Sequence, residues 1–259
     1  MNHEPNTPQQ EIALLQVQLA QARAELQEFT YSVSHDLRAS LRHVTAYVQI
    51  IKEDLGQHPD PAIIASLKTV SVAAKHMGVL IDGLTELSKL GHAAVSNGCV
   101  DTGQLLQDLQ GTATSALAAD VADRQIEWAV AQDFPPVCAD AALVRQVWNK
   151  LLSNALKYTR GRPVARIEIG WALADNGFCV FHIKDNGVGF NPRFKEKLFR
   201  VFQRLHSATE FEGTGLGLAL TRKIVERHGG TVWAEGDVDA GCTIRFTLPL
   251  FEAGSSGAA

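Results

Sequence analysis

Cysteine is scarce in this chain: there are four in 259 residues, and Cys99, Cys138, Cys179 and Cys242 stand far apart with no CxxC among them. That spacing argues against a structural zinc site and suits buried free thiols in a reducing compartment. Long apolar runs are missing too; none approaches the roughly 18–20 residues that span a bilayer, so no transmembrane segment is expected. The opening MNHEPNTPQQ lacks the basic stretch and apolar core of a secretory signal. Nor is there surplus positive charge: 24 Lys and Arg against 28 Asp and Glu leave a net charge of -4. That balance disfavours binding to nucleic acid through its phosphates. These absences predict a cytoplasmic protein with no nucleic-acid partner. What is present is ordinary globular usage, 46% hydrophobic and 20% charged, in a length that holds one large domain or two small ones.

The chain changes period near Gly91. Apolar residues at Ile12, Leu15, Leu19, Ala22, Leu26, Phe29 and Val33 step by 3 and 4 in alternation, a heptad seam. Past Val33 the seam continues through Leu37, Leu41, Val44, Val48, Ile51 and Leu55, with three consecutive steps of four around His35. That is a stutter, which locally unwinds a coiled coil. GQHPDP, residues 56–61, ends the helix. A second seam follows at Ile63, Leu67, Val70, Ala74, Met77, Ile81 and Leu84. Two amphipathic helices joined by a short turn form an antiparallel hairpin, and two hairpins about a two-fold axis close a four-helix bundle, so a homodimer is expected. The alternative is that the seams pack on the rest of the same chain.

After a linker at 93–98, helices and strands mix without regular alternation. Helices are expected at 102–119, 141–158 and 216–228. Strands are expected at IEWAV, at ARIEIGWAL and FCVFHIKD around an Asp175-Asn176-Gly177 turn, and at TVWAEG and CTIRFTLP. This pattern predicts an α+β sandwich over 99–251, not a doubly wound sheet. Residues 1–10 and 252–259 read as flexible tails, leaving 11–92 to the helical hairpin.

Three segments of the second half suit a nucleotide. In DNGVGF, Asp185 ends an apolar strand, where a buried carboxylate can accept a hydrogen bond from a purine amino group. Gly187 and Gly189 let the backbone pass close to a ligand; the same residues also make a good turn. In EGTGLGLAL, Gly213, Gly215 and Gly217 lead into a helix whose N-terminus can face phosphate oxygens. On RQVWNKLLSNALKYT, Asn154 and Lys157 share a helix face, where an amide oxygen can ligate Mg²⁺ and an ammonium can meet a phosphate. Each reads alone as a solvated helix face. In the first half, His35 lies off the seam and faces solvent. A neutral imidazole there can accept a phosphoryl group, with Asp36 holding its other nitrogen or taking its proton. Asp36 needs side-chain reach or local unwinding for this, since neighbours i and i+1 diverge on a helix. By spacing alone, His35 is also an ordinary surface histidine.

Together these segments resemble the transmitter core of sensor histidine kinases, notably those behind phytochrome-like sensors. The resemblance runs from about residue 25 to 250. SHDLRAS is similar to the phosphoacceptor H box, LLSNALKYT to the N box, DNGVGF and GTGLGLAL to the two glycine boxes, and KLFRVFQRLH to the F box. It implies a dimerisation and phosphotransfer hairpin followed by a GHKL-type ATP-binding sandwich. It makes His35 the acceptor of the ATP γ-phosphoryl group and Asp36 its general base. Asn154 becomes the Mg²⁺ ligand, Lys157 a phosphate contact, Tyr158 a neighbour of the base and Asp185 the adenine-reading carboxylate. Residues 190–214 become a mobile lid anchored by Phe199 and Phe202, with Arg204 reaching the γ-phosphate. Gly213, Thr214, Gly215, Leu216 and Gly217 form its hinge and phosphate turn. The implied partners are a second copy, a response-regulator receiver domain whose Asp takes the phosphoryl group, and an upstream sensor domain or separate sensor protein. Three positions depart from the family pattern. Lys150 replaces a second N-box Asn, Ser40 replaces a helix-bending Pro, and Ala39 replaces the Thr or Asn of strong phosphatases. Lys150 keeps open the alternative of a non-catalytic phosphotransfer or scaffold protein with a degenerate nucleotide site.

Overall fold

The computed structural model describes residues 8–56, 60–91, 94–118, 125–207 and 210–252. The expected tails at 1–7 and 253–259, and the middle of the helix-breaking turn at 57–59, lie outside the described residues. The chain divides into two compact units, residues 1–92 and 93–259.

The first unit is a helical hairpin of α1 (Pro8–Asp54) and α2 (Pro61–Leu90). α1 begins at Pro8, inside the stretch expected as a tail, and runs unbroken through the stutter. Asp60 caps α2, its carboxylate accepting the Ala62 N–H at 2.8 Å, and Pro61 takes the first helical position, where its missing N–H has no cost. Between the helices Ser34 and Val48 of α1 and Ala74 and Ile81 of α2 are buried, and Arg38 reaches Asp82 at 2.8 Å. Most of the α1 heptad seam faces elsewhere: Leu26 and Phe29 are each 66% exposed, Leu37 48% and Val44 39%. α1 is 47 residues long and α2 30. Among the described residues α2 is long and apolar enough to cross a membrane by length and composition. Counting uninterrupted apolar runs misses this, because Lys68, Lys75 and His76 interrupt its apolar stretch.

The second unit has a five-stranded sheet, helices and a small two-stranded ribbon. Its elements are β1 (Gly98–Val100), α3 (Thr102–Ala118), β2 (Gln125–Val130), β3 (Val137–Ala139), α4 (Ala141–Tyr158), β4 (Val164–Leu173) and β5 (Phe178–Asp185). A 3-10 turn (Pro192–Lys197), α5 (Gly217–Arg227), β6 (Val232–Asp237) and β7 (Gly241–Pro249) complete it. The sheet order is β2-β4-β5-β7-β6, antiparallel except for the parallel β2–β4 pair. The sandwich reading holds. The β1–β3 ribbon went unforeseen, since three-residue strands carry no measurable alternation.

The core lies between the sheet and α4. Trp148, fully buried, packs edge-on against Phe181 at 5.9 Å and Phe246 at 5.1 Å. The outer sheet face carries cross-strand charge pairs instead, Arg166–Glu127 at 3.0 Å and Arg245–Glu235 at 3.3 Å. Asp140 fixes the start of α4, accepting from the Ala142 and Leu143 N–H groups. Buried His228, at the end of α5, is held to the same point: its Nε2 accepts the Asp140 N–H at 3.0 Å while Nδ1 donates to the Ile224 carbonyl at 2.8 Å. The thiols are not uniformly buried as expected. Cys179 is buried, Cys138 and Cys242 are half-buried, and Cys99 is exposed; the three-residue strands β1 and β3 leave one face of Cys99 and Cys138 uncovered.

Candidate nucleotide-binding cleft

A cleft of about 330 Å³ opens between α4, the end of β5, the 198–216 segment and the start of α5. From α4 it receives Asn154, Lys157 and Tyr158. From the end of β5 and the following turn come Asp185 and Gly189. Arg204, Gly213, Thr214, Gly215 and Gly217 line the remaining side. Gly187 and Leu216 are close by without lining it; Leu216 is buried as the residue before α5. His35 and Asp36 lie on α1, in the helical unit.

Asp185 sits at the cleft floor. It is 8% exposed, and its Oδ1 accepts the Gly187 N–H at 2.8 Å. Burial pushes its carboxyl up to about 6, against the opposing backbone N–H groups of Gly187 and Cys242. A carboxylate held this way has a ready use for a ligand N–H donor. The turn beyond it is braced from an unforeseen direction. The Arg162 guanidinium donates to the carbonyls of Asn186 (2.8 Å), Gly187 (2.9 Å) and Asp239 (2.9 Å). Glycine is required at 187, where a Cβ would stand 2.6 Å from the Tyr158 carbonyl oxygen.

The cleft also carries positive charge. Burial lowers the Lys157 pKa; Glu212 opposes this, while Arg204 and Arg160 add to it. An anion seated there would relieve the repulsion among the three cations. Arg160 forms a fork with Glu212, at 2.8 and 2.7 Å, and this contact leads the causes that hold the Glu212 carboxyl down at about 2. Leu216 offers α5 no side-chain cap, and a Cβ on Gly217 would meet nothing within 4 Å. The first turn of this eleven-residue helix thus has no side-chain partner for its N–H groups, which suits phosphate oxygens. These features fit a nucleoside triphosphate. Asn154, beside Asn149 and Lys150 on the same wall, could hold Mg²⁺ through its amide oxygen.

The 198–216 segment is packed by contacts that the sequence did not announce. Tyr158, His206 and Phe211 form a ring cluster with centroids 5.1–5.5 Å apart. His206 Nε2 lies 2.8 Å from the Gly189 carbonyl oxygen. Arg204, expected to face a γ-phosphate, donates to the carbonyls of Ser207 and Phe211 and so bridges the lid to itself. Phe199 is buried as an anchor should be, but Phe202 is 46% exposed. Its backbone serves instead, at a left-handed φ of 61°, with its N–H on the Gly215 carbonyl at 3.1 Å. No local spacing signals the Tyr158 contacts with His206 and Phe211 or the Arg160–Glu212 fork, the latter 52 positions apart.

On α1, side-chain reach meets the need identified at His35. Its Nδ1 lies 3.2 Å from Asp36 Oδ1 within an unbroken helix, and the imidazole is 62% exposed. Ser40 donates to the Asp36 carbonyl at 3.1 Å, the backbone contact open to a serine at that position.

Comparison with known proteins agrees with this architecture. Residues 139–252 match the family described as histidine kinase-, DNA gyrase B-, and HSP90-like ATPase. The chain is 33% identical over 239 residues to cyanobacterial phytochrome B of Nostoc sp., covering 92% of this chain and 31% of that one. It is also 33% identical over 226 residues to the methanogenesis regulatory histidine kinase FilI of Methanothrix harundinacea, covering 87% and 25%. It thus spans about a third or less of the length of these curated relatives. Full-length ShkA, solved in complex with AMPPNP, shares the fold with a TM-score of 0.63 at 24% identity, over 87% of this chain and 46% of that one. The ATPase-family match and the relatives that align along both units together support a sensor histidine kinase transmitter core.

Proposed function

We propose that the chain is an ATP-dependent histidine autokinase that phosphorylates His35 and passes the phosphoryl group to an Asp of a response-regulator receiver domain. The observation that carries this is the set of groups that the cleft brings together. A buried Asp185, Lys157 and the uncapped N-terminus of α5 line one cleft, a set that suits the base and phosphates of ATP. Asp185 reads the adenine amino group, Tyr158 flanks the base, and Lys157 neutralises phosphate charge. Gly213, Thr214, Gly215, Leu216 and Gly217 bring backbone N–H groups to the phosphates, and Gly187 and Gly189 shape the turn behind the base. When bound, Mg²⁺ supplies charge neutralisation between phosphate oxygens, with Asn154 as its ligand.

At His35 the Nδ1–H donates to Asp36, which leaves the Nε2 lone pair for the γ-phosphorus. The N–P bond forms as the bond from phosphorus to the ADP oxygen breaks, and Asp36 takes the Nδ1 proton as the ring becomes cationic.

A homodimer goes with this reading. The exposed seam residues of α1 and the overhang of α1 beyond the length of α2 need a helical partner, and a second hairpin supplies one. A sensor domain or sensor protein upstream of α1 and a cytoplasmic setting belong to the same proposal, as do the extents 11–92 for the hairpin, 93–98 for the linker and 99–251 for the ATP-binding domain. Lys150 on the cleft wall favours one other reading, a scaffold protein whose nucleotide site is degenerate.

The test is incubation with γ-labelled ATP and Mg²⁺ beside His35→Gln. Acid-labile, base-stable label that vanishes in the variant supports the kinase. Nucleotide binding without label in the wild type, with label gained by Lys150→Asn, overturns it in favour of the scaffold with a degenerate site.

A further inference from the structure

Two cysteines 39 positions apart in the chain are direct neighbours in the fold. In the antiparallel β1–β3 ribbon the register sets Gly98 against Ala139, Cys99 against Cys138 and Val100 against Val137. Residues directly opposite in such a pair project to the same face, with Cα atoms about 4.5 or 5.5 Å apart depending on the hydrogen-bonding position. Both values fall within the span of roughly 4.4–6.8 Å that a disulfide bridges. The pleat separates the two faces cleanly. Val100, Val137 and Ala139 are buried on the inner face, while Cys99 is exposed and Cys138 half-exposed on the outer. An oxidant therefore has access to the pair, and each thiol has the other as its nearest cross-strand neighbour.

We infer that Cys99 and Cys138 form a reversible dithiol–disulfide pair that staples β1 to β3. The oxidant is a hydroperoxide. One thiolate attacks a peroxide oxygen, breaking the O–O bond to give a sulfenic acid and one water or alcohol. The second thiolate attacks that sulfur, forming the S–S bond and releasing water. Two thiols lose two hydrogens and two electrons in total, and the peroxide is reduced by the same two electrons. The other two cysteines take no part. Burial holds the Cys179 thiol up at about 12 and pushes Cys242 up as well, with Asp185 adding to the effect there.

The staple acts where the ribbon is weakest. β1 has three residues and one neighbour, β3, whereas β3 is tied further to the end of the sheet by the Val137–Leu250 bridge and by the Phe251 N–H on the Pro136 carbonyl. Around β1 the chain is fixed by two hydrogen bonds, Ser96 N–H to Asp140 at 3.2 Å and Thr102 hydroxyl to the Pro135 carbonyl at 2.8 Å. A strand held this lightly frays, and a covalent tie across it removes that freedom. The tie also closes the chain from 99 to 138 around α3 and β2, which restricts the unfolded state.

The experiment treats the full chain with hydrogen peroxide and reads intact mass, free thiols and cross-linked peptides. The expected result is loss of two hydrogens and two thiols, a 99–138 cross-linked peptide, and reversal by dithiothreitol. Cys99→Ser and Cys138→Ser should each abolish the cross-link. The oxidised wild type should unfold about 5–10 °C higher and exchange its β1 amides more slowly than the reduced form. Covalent dimers through Cys99, oxygen addition without the cross-link, or unreacted thiols would each overturn the inference.

Discussion

Asp185→Asn separates what the site needs from what the fold tolerates. The carboxyl is pushed from its ordinary 3.8 to about 6 by burial. A carboxyl whose pKa is higher folded than unfolded holds its proton more tightly in the native state, so its ionisation destabilises the fold as pH rises. Well below its ordinary 3.8 the group is neutral in both states and contributes nothing. Above pH 6 the full penalty is present, about 3 kcal/mol for a shift of this size. At pH 5 about half of the penalty is present by the same relation. Asparagine does not ionise, so the variant escapes this penalty. It keeps an oxygen for the Gly187 N–H but turns an amide N–H₂ toward the Cys242 N–H, a mismatch of about 1–3 kcal/mol. That mismatch does not vary with pH. The stability of Asp185→Asn relative to wild type should therefore improve by about 1 kcal/mol between pH 5 and pH 7, whatever its absolute sign. Urea unfolding without nucleotide reads this directly, because Trp128, Trp148, Trp171 and Trp233 all lie in the second unit and report its unfolding. The same variant should lose ATP affinity. A stability difference that stays flat between the two pH values would refute the assignment of the shift to burial of an ionising Asp185.

Three further outcomes are expected. Phe29→Glu with Val33→Glu should shift the protein from dimer to monomer in analytical ultracentrifugation while leaving the unfolding of the second unit unchanged. Arg160→Ala should alter stability by less than about 1 kcal/mol in urea unfolding, since the Glu212 fork is exposed, yet weaken ATP binding several-fold in a titration by freeing the 198–216 segment. Trp148→Ala, which empties the junction with Phe181 and Phe246, should cost about 3–5 kcal/mol and lower the melting temperature.

The hairpin and most of the sandwich could be read from sequence because their signals are local. Heptad steps set α1 and α2, the Asp-Asn-Gly turn sets the β4–β5 pair, and Gly229 ends α5 with a left-handed φ of 73°. The residues proposed for the nucleotide could be read for the same reason, since each sits in a motif of a few consecutive residues. Phe202 shows the limit. Its motif placed it in the lid, but only the backbone conformation shows that its N–H serves there while its ring faces solvent.

Alone, the sequence determined what is written in periods and short turns: two amphipathic helices, the main strands, the glycine positions and an exposed His35. Tertiary structure decided every pairing between distant positions. It set Arg162 on the turn after Asp185, Glu212 on Arg160, His228 on the cap of α4, and Cys99 opposite Cys138. The physical reason is that periodicity reports which face of an element is buried. Which residue of another element meets that face depends on how the strands register and the layers pack, and that is fixed only when the whole core closes.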